Sequence, residues 1–118
     1  MTLLTQIEEG ISAQRVKEFQ QRFQLTVQDM AFLMALSRKG YYNLLDHEKL
    51  SRQQSERFLN VQQVYEQALE SLETLENIHQ WMHTFHGYLE RIPFKILDTF
   101  TGCTEVKAEL IRLEHGVL

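Results

Sequence analysis

Three histidines, His79, His83 and His86, follow Glu76 at spacings of three, four and three residues. On a continuous helix that series lies along one stripe, and two imidazoles one turn apart suit zinc. The pair reads His79-Gln80-Trp81-Met82-His83, without the glutamate that serves as general base in H-E-x-x-H hydrolases. A third ligand further along a straight helix does not converge on the same ion. The stripe also flanks an apolar face of Ile78, Met82, Phe85 and Leu89, a common place for boundary histidines. No metal is expected there. Cys103 falls close to the start of a C-terminal helix, where a thiol can be activated. No histidine or carboxylate is spaced to act as its base. Five scattered glycines form neither a phosphate-cradling loop nor a dinucleotide fingerprint. With nucleophile, base and oxyanion donors unassembled, the expectation is a protein that is not an enzyme and takes no cofactor.

The elements that must position these residues read as helices throughout. Thr5-x-x-Glu8 resembles a capping box, and Gly10 closes a short first helix. Ser12 caps a second helix, with Ala13, Val16, Phe19 and Phe23 on its apolar face. Thr26-x-x-Asp29 opens a third, leading into Met30, Ala31, Leu33 and Met34, and Ser37 opens a fourth carrying Tyr41, Leu44 and Leu45. Ser51-x-x-Gln54 begins the longest element, expected to run to about Leu75. Its seam of Phe58, Val61, Tyr65, Ala68, Leu72 and Leu75 is shorter than the ~3–4 heptads that argue a coiled coil. It therefore packs on its own domain or forms the seam of a homodimer. Trp81, Phe85 and Tyr88 fall at helical spacing as packing residues, and Ile92-Pro93-Phe94 starts a further helix on proline. No β-branched run alternates with polar residues, so no strand is expected. The predicted fold is all-α, with a helix-turn-helix-like bundle over residues 1–59 joined by the long helix to a small helical domain over 60–118.

The net charge of −4 is unevenly spread. Residues 1–59 carry eight Lys and Arg against seven Asp and Glu; residues 60–118 carry four against nine. From Phe58 to Glu90 there is no Lys or Arg, so this stretch cannot displace counterions from a phosphate backbone. Nucleic-acid contact belongs to the first half. There the helices from Thr26 and Ser37, separated by Ala35-Leu36, have the layout of a helix-turn-helix. The second would present Arg38, Lys39, Tyr41, Tyr42 and Asn43 to operator DNA, with Arg52 and Arg57 available to the backbone. Gly40 inside it and Asp46 and Glu48 beyond it thin the positive field. One cysteine and no membrane-length apolar run or signal-like N-terminus lead to the expectation of a cytoplasmic protein away from membranes.

The chain closes on Arg112-Leu113-Glu114-His115-Gly116-Val117-Leu118. Val106, Leu110 and Leu113 share a stripe of a helix expected over Glu105 to Leu113, and Gly116 stands where a left-handed helix stop belongs. Val117 and Leu118 are then left as an apolar tip. Upstream stand Trp81, the segment Ile92-Pro93-Phe94-Lys95-Ile96-Leu97-Asp98 and Gly102. In that order, from Trp81 to the end, these motifs resemble the toxin-binding domain of the Xre/ParS-type antitoxins, which pair with RES-domain toxins. Leu50-Ser51 followed by Ser55-Glu56-Arg57-Phe58-Leu59 is similar to the family's join between its two parts. The glycine pair that usually precedes the family proline is absent, and the recognition helix has fewer arginines than is usual.

The resemblance implies an antitoxin, often dimeric, that neutralises a cognate RES-domain, NAD⁺-degrading toxin by placing its C-terminal residues in the toxin's active-site cleft. Carried across by motif, that role falls to Arg112, Glu114, His115, Gly116, Val117 and Leu118. It also implies repression of the protein's own operon through the helix-turn-helix. The alternative is a helix-turn-helix transcriptional regulator with no toxin partner.

Overall fold

Hydroxyl groups start every α-helix of the protein, whose structure is a computed structural model describing residues 1–116; Val117 and Leu118 lie outside the described residues. Ser and Thr favour this position because their oxygen accepts an N–H that the first turn leaves without a partner, which contributes about 1 kcal/mol per helix. Thr2 caps α1 (Leu3–Glu9), Ser12 caps α2 (Ala13–Arg22) and Thr26 caps α3 (Val27–Leu33). Ser37 caps α4 (Arg38–Leu45), and the Ser51 hydroxyl accepts from Gln54 N at the head of α5 (Arg52–Leu72). Thr74 and Thr99 do the same for α6 (Leu75–Met82) and α7 (Phe100–Glu114). A 3-10 turn over Pro93–Ile96 precedes α7. The fold is all-α, with no strand among the described residues.

Four boundaries differ from the sequence expectation. Thr2, not Thr5, begins α1: Thr2 is extended and accepts from Thr5 N at 3.1 Å, while Thr5 already lies in the first turn. α5 stops at Leu72 because Glu73 turns left-handed, at φ +74°. Asn77 Nδ2 then donates to the exposed Leu72 carbonyl at 2.9 Å, and Leu75 belongs to the next helix. α6 ends at Met82, so the helix does not continue through Phe85 and Tyr88. α7 begins at Phe100, five residues ahead of the expected Glu105, and carries Gly102 and Cys103 in its first turn.

Two compact units make up the chain, residues 1–60 and 61–118. In the first, α3 and α4 are joined by a reverse turn with a specific carbonyl pairing. Leu36 N donates to Ala31 O at 2.8 Å and Ala35 N to Phe32 O at 3.0 Å, with Ala35 left-handed at φ +56°. This is a Schellman stop made on alanine. α2 ends in the same way on Gln24 (φ +53°), with Leu25 N donating to Gln20 O. Val16, Phe23, Met30, Leu33, Tyr41 and Phe58 are wholly buried in this unit. Phe19 meets Phe58 edge to face at 5.3 Å.

A second tie closes the first unit. Leu50 N donates to Ile11 O at 2.8 Å and Ala13 N to Glu48 O at 3.0 Å, so the α4–α5 segment lies along the α1–α2 joint. Ile11 N, within this buried joint, donates to Ser55 Oγ at 2.9 Å, and Ser55 itself has no exposed surface. Ser55→Ala would strand that N–H where water cannot reach it. Loss of the acceptor should destabilise the first unit by ~1–3 kcal/mol, read as a lower urea midpoint with an unchanged slope. An unchanged midpoint would show that Ile11 N–H finds another acceptor.

The second unit has its own core, with Ile78, Met82, Leu97, Val106 and Leu110 all wholly buried. Gly102 is what allows α7 to close on the 3-10 turn. A Cβ on Gly102 would stand 1.7 Å from the Ile96 carbonyl oxygen. Ser71 Oγ on the second half of α5 donates to Leu110 O at 2.9 Å and ties α7 to that helix.

Candidate functional site

The helix-turn-helix side is set by α4. Ser37 fixes its start, with Gly40 N donating to Ser37 Oγ at 2.9 Å, and Arg38 and Lys39 project exposed from the first turn. Tyr42 is 52% exposed and Asn43 is exposed one residue later. Tyr41 requires a correction to the expected contact set. It has no exposed surface, and its hydroxyl donates to Gln20 Oε1 of α2 at 2.6 Å. Burial, helped by neighbouring Tyr42, pushes its phenol up to about 12. Tyr41 therefore anchors α4 to α2 and has no atom left for a groove. Beyond α4, Asp46, His47 and Glu48 are exposed, so two carboxylates border the four remaining candidates.

The C-terminal side is built on α7. Arg112 faces Glu109, three residues earlier on the same helix. Its Nε donates to Glu109 Oε1 at 3.0 Å and Oε2 at 3.1 Å, and its Nη2 also reaches Oε1. The guanidinium carbon lies 4.1 Å from the centre of the Tyr88 ring. The hydrogen bond to Glu109 holds the Arg112 guanidinium still more firmly protonated than usual. Glu109 is 3% exposed, a buried carboxylate in a stripe of apolar neighbours. His86 Nε2 stands 3.8 Å from Glu109 Oε1 on the other side.

The remaining tail residues are placed differently. Glu114 is exposed and accepts from Gln67 Nε2 at 2.7 Å. His115 is the exposed C-cap, its N–H bonded to Ile111 O at 3.1 Å. Gly116 is left-handed at φ +66° and donates to Leu113 O at 3.1 Å, as a C′ glycine does. A Cβ there would meet nothing within 4 Å, so glycine serves the backbone conformation and not a tight fit. The candidate residues Val117 and Leu118 lie outside the described residues.

The histidine stripe is not one stripe. His79 lies on α6, but His83 is its C-cap and His86 belongs to the following loop, where its N–H donates to Arg91 O at 2.9 Å. The helix ends before the second and third histidines because His83 leaves the helical backbone angles. The His83 ring lies 4.8 Å from Phe94 and the His86 ring 5.4 Å from Trp81. Among the described residues no three His, Cys, Asp or Glu side chains are grouped to hold a metal. Cys103 is 5% exposed and its thiol donates to Leu97 O at 3.3 Å.

Reasoning from sequence missed Glu109, Tyr88 and His86 as one constellation. The i,i+3 spacing of Glu109 and Arg112 was a visible signal. Nothing in the sequence said that Glu109 is buried, or that a loop some twenty residues upstream returns to meet the pair. Phe85 and Tyr88, expected as packing, are instead 64% and 70% exposed because the helix that would bury them stops short.

No helix of the described residues is long and apolar enough to cross a membrane. The family model for the antitoxin Xre-like helix-turn-helix domain matches residues 2–62, just over half of the chain. No curated protein matches the chain.

Proposed function

Because the chain belongs to the family of antitoxins with an Xre-like helix-turn-helix domain, we propose that it neutralises a RES-domain, NAD⁺-degrading toxin by placing its C-terminal tail in the toxin's active-site cleft. The observation that carries this reading is the end of α7. The helix is held along its length by buried Val106, Glu109 and Leu110, yet it finishes in exposed Glu114, His115 and a left-handed Gly116. Such an end sets Glu114, His115 and Gly116 outside the core of their own unit, where a partner can reach them. On this reading residues 60–118 form the toxin-binding domain, and Glu114, His115, Gly116, Val117 and Leu118 make the contact. The protein works in the cytoplasm, as a dimer, without cofactor or catalysis of its own. The test is co-expression with a RES-domain toxin encoded beside it. Restored growth, preserved cellular NAD⁺ and copurification are expected; continued NAD⁺ loss despite a stable antitoxin would overturn the reading.

The helix-turn-helix gives a second role, repression of the operon, and the alternative of a regulator without a toxin partner. What favours DNA contact is the exposed face of α4, with Arg38, Lys39, Tyr42 and Asn43. Two cations at the head of one helix neutralise few phosphates, and rising salt weakens even those pairings by removing the gain from counterion release. We expect binding by the chain alone to be weak, and joining two such units in an assembly to raise it through effective concentration. A mobility-shift titration on the upstream DNA, at two salt concentrations and with or without toxin, checks this. Tight, salt-tolerant binding that survives Arg38→Ala with Lys39→Ala would overturn it.

A further inference from the structure

We infer that Arg112 is a positioning residue, the bolt of a clamp that fixes the last turn of α7, and not itself a contact to the toxin. The inference rests on the tail-insertion reading, and it reassigns one of the six residues that the motif nominates. Arg112 is 19% exposed at its side chain and lies between two partners. One is the Glu109 carboxylate, 2% exposed at its side chain and engaged through two nitrogens. The other is the Tyr88 ring, against which the guanidinium rests at 4.1 Å. A planar guanidinium makes both contacts at once, which an ammonium cannot. Its charge is answered three residues away, so little of it is left to attract an anionic site.

The partners explain what is being clamped. Tyr88 and His86 belong to the loop between α6 and the 3-10 turn, closed on itself by His86 N donating to Arg91 O and turned at left-handed Glu90. His86 approaches the same Glu109 carboxylate, and its ring meets Trp81, whose indole follows from α6. Glu109 thus touches the loop and its own helix together, and Arg112 closes over it onto Tyr88. Gly116 lies four residues further on, about one helical turn. Holding Arg112 therefore holds the carbonyl ladder from which the tail departs, while Gln67 restrains the opposite edge through Glu114. A tail whose departure is fixed in advance pays less ordering entropy when it enters a cleft.

The experiment uses the full chain in three forms: wild type, Arg112→Lys, and the double variant Arg112→Met with Glu109→Leu. An apolar pair can replace a buried ion pair without leaving a lone charge, so the double variant restores contact with Tyr88 without the guanidinium. Backbone ¹⁵N relaxation is measured first. In Arg112→Lys the order parameters of His115 and Gly116 should fall from about 0.85 towards 0.6, while those of Val106 and Leu110 stay high. The double variant should recover most of the loss. Titration against purified toxin follows: Arg112→Lys should bind about tenfold more weakly, as for re-ordering one or two residues on binding. The double variant should bind within about threefold of wild type. Unchanged order parameters in Arg112→Lys would overturn the clamp. So would a double variant that is rigid at its end yet binds as poorly as Arg112→Lys, because the guanidinium would then be a contact. A wild-type chain that fails to inhibit the toxin would reject the tail reading, with the relaxation result still judging the clamp.

Discussion

A Gly102→Ala chain is expected to lose its C-terminal unit while keeping the first. The added Cβ would sit 1.7 Å from the Ile96 carbonyl oxygen and 2.6 Å from its carbon. Neither belongs to a flexible side chain that can swing aside; both are backbone of the 3-10 turn that precedes α7. Relief requires α7 to move away from the turn, which opens the core around Leu97, Val106 and Leu110. Ordinary overpacking costs ~1–3 kcal/mol, and a clash with fixed backbone belongs at or above the top of that range. A unit of this size holds only about 3–9 kcal/mol in all. In ¹H–¹⁵N spectra the resonances of residues 61–116 should collapse toward the centre, with those of the first unit dispersed as before. A variant with native dispersion throughout would show that the turn yields more easily than its hydrogen bonds imply.

On the proposed tail-insertion reading, removing residues Glu114 to Leu118 should do the reverse, leaving the fold standing and abolishing protection from the toxin. None of Glu114, His115 and Gly116 is buried, and the side-chain tie that goes with them is the bond from Gln67 to Glu114. Changes at exposed positions usually stay within about 0.5 kcal/mol, so the melting temperature should move by a few degrees at most. Arg112 keeps both Glu109 and Tyr88, so the helix end beneath the cut remains in place. Neutralisation should nevertheless vanish, even where the shortened chain still copurifies with the toxin. Growth under toxin induction and NAD⁺ measurement check this. A truncated chain that still protects cells would mean that the helical body, and not the tail, blocks the toxin.

Four of the helix starts were legible because each depends on one hydroxyl and the N–H three residues later, a purely local event, whereas Thr2, Thr74 and Thr99 at the heads of α1, α6 and α7 were not read. Ser12, Thr26 with Asp29, Ser37, and Ser51 with Gln54 could all be read this way, and all four form the expected bonds. The stops were harder. Gln24, Ala35, Glu73 and Glu90 take left-handed backbone angles without being glycine, so the usual punctuation is missing where the chain turns. The end of α5 at Leu72 was overrun for that reason; the end of α6 was overrun because three histidines looked like a continuing stripe, although His83 leaves the helical angles at φ −106°. Gly102 misled in the other direction. It looked like a residue before a helix and is instead inside one, required by a carbonyl that only the folded chain brings near. Of the candidate residues, Arg38, Lys39, Glu114 and His115 were legible as surface from their type. Tyr41 was not, because an aromatic residue with a polar tip suits a groove and a core equally until Gln20 is found beside it.

Cys103 makes the C-terminal unit its own stopwatch. It is the sole thiol of the chain, 5% exposed, with its S–H given to the Leu97 carbonyl. With the sulfur nearly covered and its S–H given to Leu97 O, labelling by a bulky thiol reagent is expected to require α7 to part from Leu97. When reclosing outruns attack, the labelling rate follows the equilibrium population of the open form; at high reagent concentration it levels off at the opening rate itself. The N-terminal unit contains no thiol and stays silent. One native sulfur atom therefore times the breathing of the C-terminal half alone, in the intact protein and without an introduced cysteine.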